Sequence, residues 1–381
     1  MKRFFKAFAV LVAIASAAGC AKEIETTSGE NEKRYFDAWL SVQMENSVMD
    51  SWVASCMEDD SYSCLWQEAG NGLYILAEEN GTGDPVKDSS YIFVSYVTYD
   101  LDRNVLETNR EEVSHKTGTN YDVANYYGPK VWINSDASLT VGVKDIVSGM
   151  NIGDRKIFIV PAWMNTSDKY SSEEEYIANI SSTNYRIYDI EITDASNDIN
   201  RYQTHLMQGY WEQEVSKTGP ENQKEYWDTT YTGFLFRQYF DKLDKDENGS
   251  PAMLFDDDST IYINYTGRLL NGQVFDTTIA DTAKVHKIYN QSKTYSPVAV
   301  KWSADSTSIT LGGSSDIIDG FKSLLKHLHN EEPGENEAFT DGESAVAVFY
   351  SGLGYGYYGS GSTIPAYAPL RFDITVVKEE E

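Results

Sequence analysis

Apolar and polar residues alternate in the same way along two well-separated parts of the chain. Ile261, Ile263 and Tyr265 alternate with Tyr262, Asn264 and Thr266, and Ile92, Val94 and Tyr96 alternate with their own neighbours. A period of two predicts strands with two different faces. Phe372, Ile374 and Val376 carry the same pattern, as do Tyr188, Ile190 and Ile192. A helical period separates the members of each pair. Val143, Ile146, Val147 and Met150 share one helical face, and so do Ile317, Phe321, Leu324, Leu325 and Leu328. Two further segments, NEKRYFDAW from Asn31 and NRYQTHLMQGYW from Asn200, begin polar and continue with spaced aromatics, which predicts helices.

These segments recur in one order. GLYILAEENGTGD from Gly72 matches GFLFRQYFDKLDKDENGS from Gly233, and IFVSYVTYDLDRNVLET from Ile92 matches IYINYTGRLLNGQVFDT from Ile261. LTVGVKDIVSGM from Leu139 then matches IIDGFKSLLKHL from Ile317, and YRIYDIEIT from Tyr185 matches LRFDITVV from Leu370. The spacing between partners grows along the chain, so the second copy carries longer loops. Five paired segments in order predict a tandem duplication. Each copy reads as α+β, because one short helix laid on an antiparallel sheet buries both apolar faces.

The N-terminus changes where this body is expected. Lys2, Arg3 and Lys6 precede an apolar stretch from Ala7 to Ala18 that is too short to span a bilayer. Ser16-Ala17-Ala18-Gly19-Cys20 follows and resembles a bacterial lipobox, which implies a signal peptide over residues 1–19 and a lipid on Cys20. Ala21 stands where the inner-membrane retention signal of such lipoproteins has Asp, so the resemblance implies the outer membrane of the cell envelope. The net charge of −28 opposes binding to phosphate backbones, so no nucleic-acid partner is expected. In an oxidising envelope Cys56 and Cys64 are either bridged or two free thiols, and the spacing leaves both open.

YTGRLLNGQVFDTT, from Tyr265 to Thr278, resembles the hairpin of FKBP-type peptidyl-prolyl cis–trans isomerases. LGGSSDIIDGFKSLL from Leu311, GYG from Gly354 and IPAYAPLRFDITVV from Ile364 continue the resemblance in order, over roughly residues 256–377. It implies two tandem FKBP-like domains, each a curved antiparallel sheet wrapped around a short helix, with helical connecting segments. The expected boundaries are 20–71 for an anchored helical segment, 72–196 and 233–381 for the two domains, and 197–232 for a helical connector. By position, the resemblance makes Tyr265, Phe275, Asp276, Ile318, Phe321 and Tyr355 catalytic, with Ile317, Ile364 and Phe372 binding substrate. It gives the backbone N–H of Ile318 to a substrate carbonyl and makes Asp276 the polarising group. Phe321 stands where the family usually has Trp. The family's aromatic pair before Leu-Gly is missing from SADSTSITLGG, and Trp302 is the candidate substitute. In the first copy Leu106 and Glu107 replace Phe-Asp, Val143 replaces the helix aromatic, and VPAW runs into MNTSDKY without a Tyr-Gly turn, so that copy reads as degenerate.

The chemistry implied needs neither cofactor nor metal. Rotation about a peptide bond is opposed by a barrier of about 18–20 kcal/mol, because resonance is lost in the twisted amide. For X-Pro the two ground states differ by only about 0.5–1 kcal/mol. A site therefore has to bind the twisted, less dipolar amide better than the planar one, which suits an apolar aromatic cleft. Two functions follow: an isomerase acting on proline-containing exported or envelope polypeptides, or a non-catalytic FKBP-like interaction lipoprotein.

Other motifs lack their context. GYGYYG from Gly354 opens no helix, so it is not a dinucleotide fingerprint. DKDENG, at residues 244–249, has Phe255 where a calcium loop needs Glu. His327 and His329 lie two apart and face different ways. The lipobox yields a direct expectation: labelled fatty acid enters the wild-type protein in bacteria and fails to enter Cys20→Ala. Equal labelling of the two would remove the anchor.

Overall fold

A computed structural model describes residues 27–133, 139–217, 224, 227–239, 255, 257–303, 305–328 and 344–377. Cys20, His329 and the 244–249 motif lie outside them. Helices α1 (Ser28–Glu45) and α2 (Val48–Met57) come first, followed by β1 (Gln67–Gly70), β2 (Leu73–Glu79), β3 (Tyr91–Tyr99) and β4 (Val105–Thr108). Then come α3 (Glu111–Thr117), β5 (Lys130–Ile133), α4 (Val141–Val147), β6 (Arg155–Val160), α5 (Glu173–Ala178) and β7 (Arg186–Ser196). Helix α6 (Ile199–Ser216) leads to β8 (Trp227–Tyr231), β9 (Phe234–Tyr239), β10 (Thr260–Leu269) and β11 (Val274–Thr277). The chain continues through α7 (Ala280–Val285), β12 (Val298–Lys301), β13 (Thr310–Leu311), α8 (Asp319–Lys326), β14 (Ser344–Phe349) and β15 (Leu370–Val377).

The strands form two sheets, ordered β1-β2-β6-β7-β3-β4 with β5 also on β3, and β13-β12-β10-β15-β14-β9-β8 with β11 also on β10. These are one topology written twice. β3 holds β4, β5 and β7 as β10 holds β11, β12 and β15. From there β7 leads to β6, β2 and β1, as β15 leads to β14, β9 and β8. Among the described residues, β13 alone has no counterpart in the first sheet. The registers agree as well: Val97 pairs with Thr108 as Thr266 pairs with Thr277, and each hairpin bulges in the next step. The chain is α+β, with one plan in tandem, as the duplicated sequence pattern predicts.

By contacts the described residues divide into two compact units, those within 27–77, 139–145 and 157–187 in one, and those within 78–133, 146–156 and 188–377 in the other. In the first, the segment from Asn31 is helical as expected and buries Phe36, which stacks on Tyr185 at 5.3 Å between ring centres and meets Trp163 edge-on at 5.5 Å, while Tyr35 stays exposed. Thr27 and Glu30 close a capping box at the start of α1. Cys56 and Cys64 are not joined in a disulfide, and burial, then Asp50, pushes the Cys64 thiol up to about 12. No helix among the described residues is long and apolar enough to cross a membrane.

In the second unit, strand alternation sorts side chains onto two buried faces. Ala345, Ala347 and Phe349 of β14 join Phe321, Leu324 and Leu325 of α8. Val346 and Val348 turn the other way, onto Met207 and Trp211 of α6. Helix α6, expected only as a connector, therefore covers the back of the second sheet. Its buried Gln203 accepts a hydrogen bond from the Ser351 N–H at 2.7 Å.

A carboxylate is conserved in place between the copies, at Asp189 on β7 and Asp373 on β15. The Asp189 side chain is 1% exposed and receives Arg110 at 2.7 Å and Arg155 at 2.9 Å. Burial alone would push its carboxyl up, but hydrogen bonds and charge from Arg155 and Arg110 outweigh that and hold it below the usual range. Removing one member of such a buried cluster strands the others, at about 3–5 kcal/mol. Asp189→Ala is thus expected to lower the free energy of unfolding by that amount at neutral pH. A carboxyl lowered on folding contributes stability that is present above its unfolded pKa and is lost as the pH falls through the folded value. The gap between wild type and variant should therefore shrink on acidification below about pH 4. Denaturant titrations at several pH values check this.

Candidate active site

The Tyr-Thr-Gly sequence of β10 runs into a bulge between Gly267 and Arg268, and β11 returns from it carrying Phe275 and Asp276. The last strand then brings Phe372 alongside. Its cross-strand neighbours are Gly267 on β10 and Ala347 on β14, the two small residues that leave room for rings. A Cβ on Gly267 would stand 2.5 Å from the Phe275 ring and 2.9 Å from that of Phe372, so only glycine fits. Around Phe372 lie Phe321 at 4.9 Å, Phe275 at 5.6 Å, Phe349 at 5.8 Å and Tyr265 at 6.3 Å between ring centres. These are tilted or edge-on contacts apart from Phe349, which stacks, and both geometries suit aromatic quadrupoles.

Helix α8 supplies the opposite wall. Gly320 in its first turn lets the helix descend onto the sheet, since a Cβ there would meet the Phe349 ring at 2.4 Å. Phe321 then points at Tyr265 and Phe372. Phe321, Ile364 and Phe372 are buried, while Tyr265, Phe275, Ile317 and Ile318 are half-buried against the same cluster. The arrangement is a closed aromatic floor with partly open walls. Ile318 caps α8 in an extended conformation, and its carbonyl accepts from the Phe321 and Lys322 N–H groups. Its own N–H makes no hydrogen bond among the described residues.

One edge of the cleft is polar. The Tyr265 hydroxyl donates to Asp276 at 2.7 Å, the Thr277 N–H donates to the same carboxylate at 2.9 Å, and Lys293 caps it. Burial, then Asp276, pushes the Tyr265 phenol upward. Burial, then Asp276 and Asp316, does the same to Tyr355. Both phenols therefore remain protonated donors well above neutral pH. Tyr355 is 36% exposed at this edge. Seven of the nine residues read from the sequence pack in or against this cluster, Asp276 joins them through Tyr265, and Tyr355 is near enough to feel the charge of Asp276 without touching the floor. The structure adds Lys293, from a loop with no spacing signal, and Gly267, whose place in the Tyr-Thr-Gly motif was the available clue.

Two expectations are corrected. Trp302 does not replace the missing aromatic pair: it is buried beside Phe255, and its indole N–H donates to the Leu325 carbonyl at 2.8 Å, at the far end of α8. The first copy also keeps more than its degenerate motif suggested. Tyr96 donates to Glu107 as Tyr265 donates to Asp276, and Lys130 lies 3.1 Å from the Tyr96 hydroxyl, although it stands at the strand position of Val298 and not that of Lys293. What it lacks is the floor, with Leu106, Val143 and Tyr188 in place of Phe275, Phe321 and Phe372. Thr98 occupies the position of Gly267 and is buried there. His327 packs against Tyr231, Phe234 and Phe236. No cluster of three or more metal-ligating side chains occurs among the described residues.

No curated protein matches the sequence. Among solved structures, a peptidyl-prolyl cis-trans isomerase from Pseudomonas syringae pv. tomato is 17% identical, covering 48% of this chain and 96% of its own, with a TM-score of 0.27. FkpA from Escherichia coli is also 17% identical over 47% of this chain and 62% of its own, with a TM-score of 0.27. The three FKBP domains of wheat FKBP73 are 15% identical over 81% of this chain and 94% of their own, with a TM-score of 0.23. The family described as FKBP-type peptidyl-prolyl cis-trans isomerase matches residues 254–377. The C-terminal copy, over residues 254–377, is an FKBP-type peptidyl-prolyl cis-trans isomerase domain.

Proposed function

We propose that this domain isomerises X-Pro bonds in exported or envelope polypeptides, with the chain held at the outer membrane by lipid on Cys20. The observation that carries the reading is the aromatic floor around Phe372 set beside one polar edge. A proline ring on Phe275, Phe321 and Phe372 loses water and gains apolar contact. Planar amides are strongly dipolar and are poorly solvated there, whereas the twisted amide gives up less. In this reading the Ile318 N–H, which makes no hydrogen bond among the described residues, takes the carbonyl before the proline, and the Tyr355 hydroxyl offers a second donor. Asp276 acts mainly through Tyr265, whose ring it orients, and through the negative potential it places at the cleft edge.

The first copy is read as an interaction domain. Its edge survives but its floor does not, and a polar edge without an apolar floor can hold a chain without favouring the twisted amide.

Two full-length variants separate chemistry from folding. Asp276→Ala removes a half-exposed carboxylate, so the thermal midpoint should fall only slightly, while isomerisation of a proline tetrapeptide slows roughly tenfold, the weight of one charge-assisted hydrogen bond. Phe372→Ala instead empties the floor and should destabilise the domain by about 3–5 kcal/mol. Protease-coupled isomerisation assays and thermal melts on the same preparations read both. An unchanged rate in folded Asp276→Ala would remove Asp276 from the site.

A further inference from the structure

Beside the cleft runs a groove to which both copies contribute. Glu107, Lys130 and Trp132 of the first copy face Tyr358, Ile364 and Pro365 of the second across a cavity of about 390 Å³. All belong to the second compact unit. The groove has a fixed frame: the Tyr126 N–H donates to the Ser362 carbonyl at 2.8 Å, and Gln273 Nε2 donates to the carbonyls of Ala124 and Asn125, each at 3.1 Å.

Ile364 belongs to both places, packing in the Phe372 cluster and lining the groove. A chain seated with its proline against that cluster has an exit over Ile364. Beyond it lie Glu107, 57% exposed, and Lys130, 44% exposed. One accepts hydrogen bonds and the other donates them, which matches the alternating N–H and C=O groups of an extended backbone. Trp132 and the 88% exposed Tyr358 supply aromatic faces for side chains. The first copy's Tyr96–Glu107–Lys130 edge holds these groups in place.

We propose that this groove is an extended polypeptide subsite: residues flanking the isomerised proline lie across it, bonded to Glu107 and Lys130 and packed on Trp132 and Tyr358. The proposal rests on the isomerase reading of the adjacent cleft. It makes long unfolded chains, and not short proline peptides, the preferred substrate class, and gives the non-catalytic copy a part in selecting them.

The test compares a tetrapeptide with a peptide of about twelve residues, roughly 40 Å extended, both built around the same single proline. Dissociation constants are measured by NMR titration of the full-length protein and of a Glu107→Ala/Tyr358→Ala double variant. Both altered side chains are largely exposed, so the fold should survive. The longer peptide is expected to bind the wild type about tenfold more tightly, the weight of one to two added hydrogen bonds, and the double variant to lose that gain. Tetrapeptide binding and isomerisation should stay unchanged. A longer peptide that binds no more tightly, or a variant that keeps the gain, overturns the proposal while leaving the isomerase reading intact. Tight binding of the longer peptide with no acceleration of tetrapeptide isomerisation overturns both.

Discussion

The packing of Phe321 on Phe372, at 4.9 Å between ring centres, holds helix α8 against the core face of the second sheet. Everything else at the cleft follows from it. Helix α8 reaches the sheet because Gly320 lets its first turn rest on Phe349, and β15 presents Phe372 between two small neighbours, Gly267 and Ala347. The rings of Phe275 and Tyr265 then have one place to go. The core that stabilises the domain and the floor that would bind proline are the same side chains. Substitutions on the floor therefore affect folding and binding together, whereas substitutions at the Asp276 edge can part them.

The duplicated copies show how little has to change to lose such a cleft. Strand order, hairpin bulge, last-strand aspartate and the tyrosine–carboxylate pair all persist in the first copy, with a lysine from a different position beside the pair. Thr98 in place of Gly267 puts a side chain where two rings would meet, and Val143 and Tyr188 replace the phenylalanines. Backbone hydrogen bonding sets the architecture and is indifferent to these changes. The aromatic floor depends on a few volumes and is not.

Much of this was legible in the sequence. Alternation at Ile261–Thr266 and the helical spacing from Ile317 reported backbone geometry directly, because side-chain period is a local property. Asp276 and Phe275 were legible because a hairpin keeps its spacing. The roles of Lys293, Trp302 and α6 were not. Lys293 reaches Asp276 across a loop whose path no short-range pattern encodes. Trp302 sits in a polar insertion where alignment has no register to hold, and its burial beside Phe255 is decided by tertiary packing. Helix α6 read as a connector because its partners, Val346 and Val348, lie far along the chain on a strand face that sequence shows only as apolar.

The account's central claim is that a cleft floored by Phe372 accelerates prolyl isomerisation. Exchange NMR on a proline tetrapeptide, with catalytic amounts of the full-length protein, measures this most directly. The account predicts cis–trans exchange far faster than the uncatalysed tens to hundreds of seconds, with magnetisation transfer from the proline ring to the Phe275 and Phe372 rings. Exchange that stays at the uncatalysed rate, with no contact between proline and those rings, would contradict it.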